Sequence, residues 1–207
     1  MFEFSEVDRR AMLARMLVLT GAAATSGFSV EALAKAAKQD RPYLDPKVFA
    51  LLSTIADTLV PRTDTPGAVD VRVPALLDHM LVNWASGERR YEITQAMLTI
   101  DSKAQTTFQR PFVELAATER SKLLNEHDRQ SLKVLPAKGG RGGAAELMAG
   151  PNYADRGYAK LKELIVLLFY MSEPALTQEL SYVHAPGEWK PSIPVTPDTR
   201  PMGGTMF

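Results

Sequence analysis

YLDPKVFALLSTIADTLVPR, residues 43–62, is the stretch that decides the fold class of this 207-residue chain. Asp45 stands where a helix N-cap belongs, and Pro46 follows at the first helical position, where its missing N–H breaks no hydrogen bond. Apolar residues then recur at i, i+3, i+4, i+7 and i+11: Val48, Leu51, Leu52, Ile55 and Leu59. Pro61 ends the segment, because proline cannot continue a helix. The stretch therefore predicts an amphipathic helix with one buried side.

Four further segments follow the helical pattern. Apolar stripes at helical spacing predict helices over residues 73–84 and 93–108. Thr118 is the expected N-cap of a helix that runs to about residue 128, and a longer helix is expected over about 154–171. No segment alternates apolar and polar residues over a useful length, as a half-buried strand would. We therefore predict an all-α fold, with a single domain of about five to seven helices over residues 42–190.

The longest predicted helix ends in LIVLLFYM, residues 164–171, which is apolar on every face. At about 1.5 Å per residue this run extends only about 12 Å, whereas a bilayer core is about 30 Å thick. A helix that is apolar all round must be buried all round. Two compatible interpretations stay open: the helix is central to this domain, or one of its faces is covered by another protein.

The composition excludes several classes of function. Lys and Arg together number 24, as do Asp and Glu, so no net charge attracts nucleic acid or anionic lipid. We predict no nucleic-acid partner. Cysteine is absent, which excludes disulfides, iron–sulfur ligation and covalent c-type haem attachment in this chain.

The N-terminal region has the pattern of a twin-arginine export signal. Arg9 and Arg10 precede an apolar run that contains Leu13, and Arg15 keeps that run weakly hydrophobic. The sequence Ala-Leu-Ala at residues 32–34 resembles a signal-peptidase site. We expect residues 1–34 to be this signal, which is used mainly by proteins that fold before they cross a membrane. The alternative is an amphipathic N-terminal helix that begins with two ordinary arginines.

A search for catalytic and ligand-binding motifs finds none that is convincing. His79, His127 and His184 lie far apart and form no H-E-x-x-H motif. We expect His79 to be a surface residue, and the acidic neighbours of His127 point in different directions on a helix, which disfavours a metal site. The glycine-rich run at residues 139–143 lacks the spacing of a phosphate-binding loop and is interpreted as a connecting loop. We predict no catalytic, cofactor-binding or metal-binding residue in this chain.

The C-terminal tail, residues 191–207, is rich in proline. Prolines at positions 191, 194, 197 and 201 prevent a helix and favour an extended, polyproline-like chain. Two interpretations stay open: a disordered terminus, or an arm that lies along a partner protein.

The segment LLFYMSEPALTQELSYVHAPGEW, residues 167–189, contains an aromatic residue, a Ser-Glu-Pro, a Leu-x-Tyr and a late Pro-Gly. With the helix-and-loop pattern of residues 52–81, it resembles the gluconate 2-dehydrogenase small (gamma) subunit family over about residues 45–190. Phe169 departs from the pattern, because the family usually has glycine there. The resemblance and the aromatic anchors select eight candidate partner-binding residues: Tyr170, Ser172, Glu173, Pro174, Tyr182, Pro186, Gly187 and Trp189.

The resemblance implies a non-catalytic, hitch-hiker subunit of a sugar dehydrogenase. Complexes of this family contain an FAD-containing catalytic subunit of the glucose–methanol–choline (GMC) type and often a multihaem cytochrome c subunit that carries haem c. The small subunit holds no cofactor, supplies the export signal and carries the folded pair to the periplasm. The complex then lies on the outer face of the cytoplasmic membrane, so membrane association of this chain would be indirect.

Three alternatives remain open at this level. The Ser-Glu-Pro turn could only pack the core of its own domain, without meeting a partner. The chain could be an exported helical enzyme with an unrecognised carboxylate site, or a cytosolic maturation chaperone for the flavoprotein. The sequence does not name the sugar, because the substrate pocket would lie in another polypeptide.

Overall fold

The computed structural model describes residues 43–136, 151–182, 192, 194–197 and 199–203. This part of the chain contains five α-helices: α1 Pro46–Leu59, α2 Val73–Asn83, α3 Gly87–Phe108, α4 Ala117–Ser131 and α5 Arg156–Tyr170. A 3-10 turn, Phe112–Glu114, precedes α4, and a π-helical turn, Ala175–Glu179, follows α5. Two short strands, β1 Ser181–Tyr182 and β2 Met202–Gly203, pair in parallel. The all-α fold class is confirmed.

Some predicted features lie outside the described residues. They are the export signal of residues 1–34, with Arg9, Arg10 and Leu13, and the glycine-rich run at residues 139–143. These features stay predictions. Among the helices that the structure describes, none combines the length and the apolar character needed to cross a bilayer.

Side-chain caps set the start of most helices. The Asp45 carboxylate accepts a hydrogen bond from the Lys47 N–H at 2.9 Å, which confirms the predicted cap of α1. Asp155 caps α5 in the same way through the Tyr158 N–H at 2.8 Å. Each cap satisfies one of the backbone donors that a helix leaves unpaired at its first turn.

The predicted cap of α4 is wrong. Ala116, not Thr118, occupies the N-cap position. The Ala116 N–H donates to the Glu119 carboxylate at 2.9 Å, so a glutamate in the first turn reaches back to the cap residue. The helix therefore begins earlier than the hydroxyl pattern indicates.

α5 is the central helix. It packs most extensively against α3 and also contacts α2 and α4. Its inner residues Leu161, Leu164 and Ile165 are fully buried. The expectation of burial on every face is wrong, because Val166, Leu167 and Met171 are only half-buried and Tyr170, in the last turn, is 40% exposed.

Gly157 allows α5 to approach α3 closely. A Cβ at this position would lie 2.3 Å from the carbonyl oxygen of Glu92 on α3, a distance that no carbon–oxygen pair tolerates. Glycine is therefore required by space, and not by an unusual backbone angle. The contact fixes the separation of the two most closely associated helices near the start of α5.

A buried carboxylate fixes the chain where it enters α1. Asp78 on α2 is fully buried and accepts hydrogen bonds from the Tyr43 and Leu44 N–H groups, each at 2.7 Å. The Arg90 guanidinium also lies 5.9 Å from the centre of the Tyr43 ring.

His79, which follows Asp78 on α2 and was expected at the surface, is only 9% exposed. That expectation is wrong because α2 lies against both α1 and α5, which encloses part of its polar flank.

A short antiparallel stalk joins the end of α4 to the start of α5. The Leu135 N–H donates to the Asn152 carbonyl at 2.8 Å, and the Ala154 N–H donates to the Lys133 carbonyl at 2.9 Å. Val134 and Tyr153 face each other in this bridge. Residues 133–135, after α4, and residues 152–154, before α5, are therefore held side by side.

The close contact at Gly157 predicts that Gly157→Ala lowers the free energy of unfolding by about 1–3 kcal/mol, because the added methyl group must push α5 away from α3. Gly87→Ala is a matched control: nothing lies within 4 Å of its Cβ position in the first turn of α3. The control should change the free energy by no more than about 1 kcal/mol, and in the stabilising direction. Urea unfolding monitored by circular dichroism measures both. Equal stability of the two variants would contradict the close-contact argument.

Candidate partner-binding surface

The connection between α1 and α2, here called loop 60–72, is built around one carboxylate. Asp70 receives a bidentate contact from the Arg62 guanidinium, at 2.6 and 2.9 Å, and a hydrogen bond from the Gly67 N–H at 2.8 Å. The pKa of Asp70 lies below its usual value because of the Arg62 hydrogen bond first and the Gly67 N–H second. Glycine is required at position 67 because a Cβ there would lie 2.6 Å from the backbone nitrogen of Arg62. The loop therefore has a defined shape at the surface.

The chain after α5 begins with an exposed aromatic residue. Tyr170 contacts the buried Phe169 ring edge-to-face, with the ring centres 5.1 Å apart. Phe169 itself is only 2% exposed and belongs to the core, at the position where the resemblance led us to expect glycine. The Tyr170 ring therefore contacts a core residue and is also partly exposed to solvent.

The Ser-Glu-Pro motif forms the start of a short helical turn. The chain bends at Ser172, whose hydroxyl accepts a hydrogen bond from the Ala175 N–H at 3.3 Å. Glu173 is exposed and helical, and Pro174 has helical backbone angles. A turn at this motif is correct, but the expectation that Pro174 keeps Glu173 out of the helical conformation is wrong. Ala175 is buried, so the turn also packs against the core of its own domain.

Three contacts hold the C-terminal part of the chain in place. Two join it to loop 60–72, and the third joins the segment after α5 to the tail. The Thr65 hydroxyl donates to the Glu179 carboxylate. The Arg200 guanidinium lies 3.5 Å from the Asp64 carboxylate. The Ser181 N–H donates to the Pro201 carbonyl at 2.8 Å. We call the area formed by loop 60–72, residues 170–182 and residues 199–203 the C-terminal surface.

The structure brings some of the predicted partner-binding residues together. Tyr170, Ser172, Glu173 and Pro174 follow one another at the edge of the C-terminal surface, and the Tyr182 backbone lies in β1 beside β2. Pro186, Gly187 and Trp189 lie outside the described residues, and their role stays a prediction.

Sequence reasoning missed four residues that join loop 60–72 to the C-terminal part of the chain: Asp64, Thr65, Glu179 and Arg200. Thr65 and Glu179 are 114 positions apart, and both are ordinary surface-type residues in the sequence. No local pattern marks such a pair, because it exists only after α5 has packed between the other helices.

A second polar cluster lies between α3, α4 and α5. The Lys103 ammonium donates to Nδ1 of His127 at 2.8 Å, and the His127 ring packs edge-to-face on Tyr158, with the ring centres 4.5 Å apart. Asp128 accepts hydrogen bonds from the Tyr158 hydroxyl and the Lys162 ammonium. Each of these groups has a partner within the chain, so the cluster ties the three helices together.

Burial governs the titration of this cluster. The pKa of His127 lies below its usual 6.5, because burial disfavours the charged ring and because the Lys103 ammonium repels it; Asp155 and Asp128 oppose this shift. Burial and the hydrogen bond to Asp128 raise the pKa of Tyr158. Within residues 43–136 and 151–182, no group of three or more His, Asp or Glu side chains is arranged to hold a metal ion.

Comparison with protein families identifies the chain at the family level. The family model for gluconate 2-dehydrogenase subunit 3 matches residues 46–187, which is more than half of the chain. The chain belongs to this family. Searches of the curated proteins and of the solved structures each returned no significant match.

The gluconate 2-dehydrogenase subunit 3 match spans the fold from the first residue of α1 to beyond β1. It includes loop 60–72 and the Ser-Glu-Pro turn, and it ends at Gly187, before the tail. The resemblance seen in the sequence is therefore confirmed. Membership assigns the protein, at a coarse level, to the accessory subunits of multi-subunit dehydrogenases.

The lowered pKa of His127 predicts how stability depends on pH. The unfolded chain takes up a proton at His127 near pH 6.5, whereas the folded protein takes it up only at lower pH. The unfolded state therefore binds more protons in this range, and the free energy of unfolding falls as the pH drops below about 6.5.

His127→Gln keeps an acceptor for Lys103 and removes the titration. Urea unfolding between pH 7 and pH 5 should therefore give a flatter pH profile for this variant than for the unmodified protein. Other titrating groups are shared by the two proteins and cancel in the difference. Parallel profiles would show that His127 is not the responsible group.

Proposed function

We propose that this protein is the non-catalytic small subunit of a periplasmic FAD-dependent sugar or polyol dehydrogenase. It binds the flavoprotein catalytic subunit and carries it through twin-arginine export. The observation that carries the proposal is the subunit 3 family match over residues 46–187, in a chain whose sequence also has an Arg9-Arg10 pair before an apolar run. FAD would reside in a GMC-type partner and haem c in a cytochrome subunit where one is present.

The arrangement of the buried and half-buried polar groups supports an accessory role. Asp78 accepts hydrogen bonds from backbone N–H groups, and Asp128 accepts them from Tyr158 and Lys162. His127 accepts one from Lys103. These side chains are engaged in holding helices together, which is the role expected of polar groups in a scaffold.

The C-terminal surface is the part of the scaffold that we assign to the flavoprotein. It combines exposed apolar side chains, Val69 at 44% and Tyr170 at 40%, with the charged groups of loop 60–72. Tyrosine is enriched among the residues that dominate binding energies, because it offers a large ring with few rotatable bonds and a polar tip. Tyr170 is also held by Phe169 from below, so little conformational freedom is lost on binding.

Export of the partner is tested by changing the arginine pair. Arg9→Lys with Arg10→Lys should leave the flavoprotein in the cytoplasm when the two subunits are produced together, because the pair is the recognised part of the signal. Fractionation followed by assay of sugar-dependent dye reduction and of FAD measures location and loading. Arg15→Lys is the matched control, since it makes the same chemical change within the apolar run.

The outcomes separate the alternatives. A flavoprotein that reaches the periplasm with both lysines in place would contradict the export role. A flavoprotein that stays cytoplasmic with the unmodified protein, but gains FAD only in its presence, would indicate a maturation chaperone. Sugar oxidation by the purified chain alone would indicate an enzyme.

Partner binding is tested at the exposed aromatic residue. Tyr170→Ala should weaken binding to the flavoprotein by about 1–2 kcal/mol, or roughly 5- to 30-fold in Kd. Tyr91→Ala, which removes a 66% exposed tyrosine from the outer face of α3, is the control and should leave Kd unchanged. Biolayer interferometry with the immobilised flavoprotein measures both. Equal Kd values for the two variants would remove Tyr170 from the interface.

A further inference from the structure

Residues 200–203 of the proline-rich tail contact other parts of their own chain. Arg200 meets Asp64 of loop 60–72, and the Pro201 carbonyl accepts a hydrogen bond from the Ser181 N–H. Met202 and Gly203 then pair in parallel with Ser181 and Tyr182. The tail therefore contacts both loop 60–72 and the segment that follows α5.

We propose that residues 199–203 act as an intramolecular strap. The strap holds the segment over residues 172–182 against loop 60–72, and so fixes the C-terminal surface in the shape that meets the partner. The last part of this statement rests on the proposed function; the strap itself does not. It differs from an arm that reaches toward a partner, because its charged group and its backbone are already engaged within the chain.

The contacts of the strap are divided between the two parts that it joins. The ion pair binds the tail to loop 60–72, and the parallel ladder binds it to β1. The hydrogen bond from Thr65 to Glu179 joins loop 60–72 to the π-helical turn just before β1. These three contacts close a ring around the C-terminal surface. Of the three, only the Thr65 contact would still join the segment to loop 60–72 if the strap were lost.

The strap is expected to open more easily than the helical core. Its ion pair is exposed, at 44% for the Arg200 side chain and 79% for that of Asp64, and exposed pairs are weak. A ladder of two residues on each side is also marginal by itself. Local opening of this kind exposes backbone N–H groups to exchange while the rest of the protein stays folded.

The amide of Ser181 reports directly on the strap. Ser181 is exposed, and its N–H donates to the Pro201 carbonyl, so its hydrogen exchange should be slowed by the strap. In the full chain, Arg200→Asp or Asp64→Arg alone should raise the exchange rate by about 1.4- to 5-fold, the equivalent of one exposed ion pair. The double swap should restore the original rate, because it reverses the pair without removing it.

A matched control uses the exposed pair of Glu126 and Arg129 on α4, whose atoms are 3.4 Å apart. Glu126→Arg with Arg129→Asp makes the same changes of charge away from the strap and should not affect the Ser181 amide. A second variant ends the chain after Thr199, which removes Arg200 and β2 together. In this variant the Ser181 amide should exchange at the rate of an unstructured peptide. An unchanged Ser181 rate after truncation would overturn the strap.

Measuring binding to the flavoprotein distinguishes a failure of the strap proposal from a failure of the proposed function. Truncation after Thr199 should weaken binding, and the double charge swap should bind as the unmodified protein does. If the Ser181 amide responds as expected but the unmodified protein does not bind the flavoprotein, the strap stands and the proposed function fails. If the unmodified protein binds and truncation after Thr199 does not alter Ser181 exchange, the proposed function stands and the strap fails.

Discussion

The rest of the fold depends on burying one helix that is apolar on nearly all sides. α5 can be enclosed only if neighbouring helices cover it from several directions, and α2, α3 and α4 do so. Gly157 sets how closely this can happen, because the α3 backbone occupies the space where a side chain would begin. Once α5 is in place, its last turn carries Tyr170 to the surface and determines where the C-terminal segment starts. The position of the candidate partner-binding surface is thus a consequence of core packing.

Polar side chains connect the elements at the points where apolar packing alone gives little orientation. Asp78 ties the entry of α1 to α2, and the cluster around Asp128 joins α4 to α5. Asp70 organises loop 60–72. Hydrogen bonds to charged groups are directional and strong relative to neutral ones, so each fixes an angle as well as a distance. Carboxylates act in this protein mainly as acceptors that hold loops and helices in register.

The sequence predicted the helices well and the connections poorly, for physical reasons. Amphipathic periodicity and the Asp45-Pro46 start are local signals, so α1 and the central position of α5 could be read from the chain. The burial of His79 and the contact between Thr65 and Glu179 depend on how distant elements pack, and no local pattern encodes them. The cap of α4 was missed because Glu119 caps from inside the helix, whereas the hydroxyl of Thr118 looked like the local signal. The motif at residues 170–174 was recognisable, but its backbone shape was not.

The stalk between α4 and α5 has a practical consequence. Hydrogen bonds between Leu135 and Asn152, and between Ala154 and Lys133, hold the two ends of the intervening sequence side by side. The entropy of closing a loop between fixed ends changes slowly with its length, by about 0.6 kcal/mol for each doubling. Because the sequence predicts a connecting loop at residues 139–143, we expect an affinity tag or a fluorescent reporter inserted there to leave the helical domain nearly as stable as before. Such an insertion lies outside the three segments that form the C-terminal surface, so it can report on assembly without altering the tail.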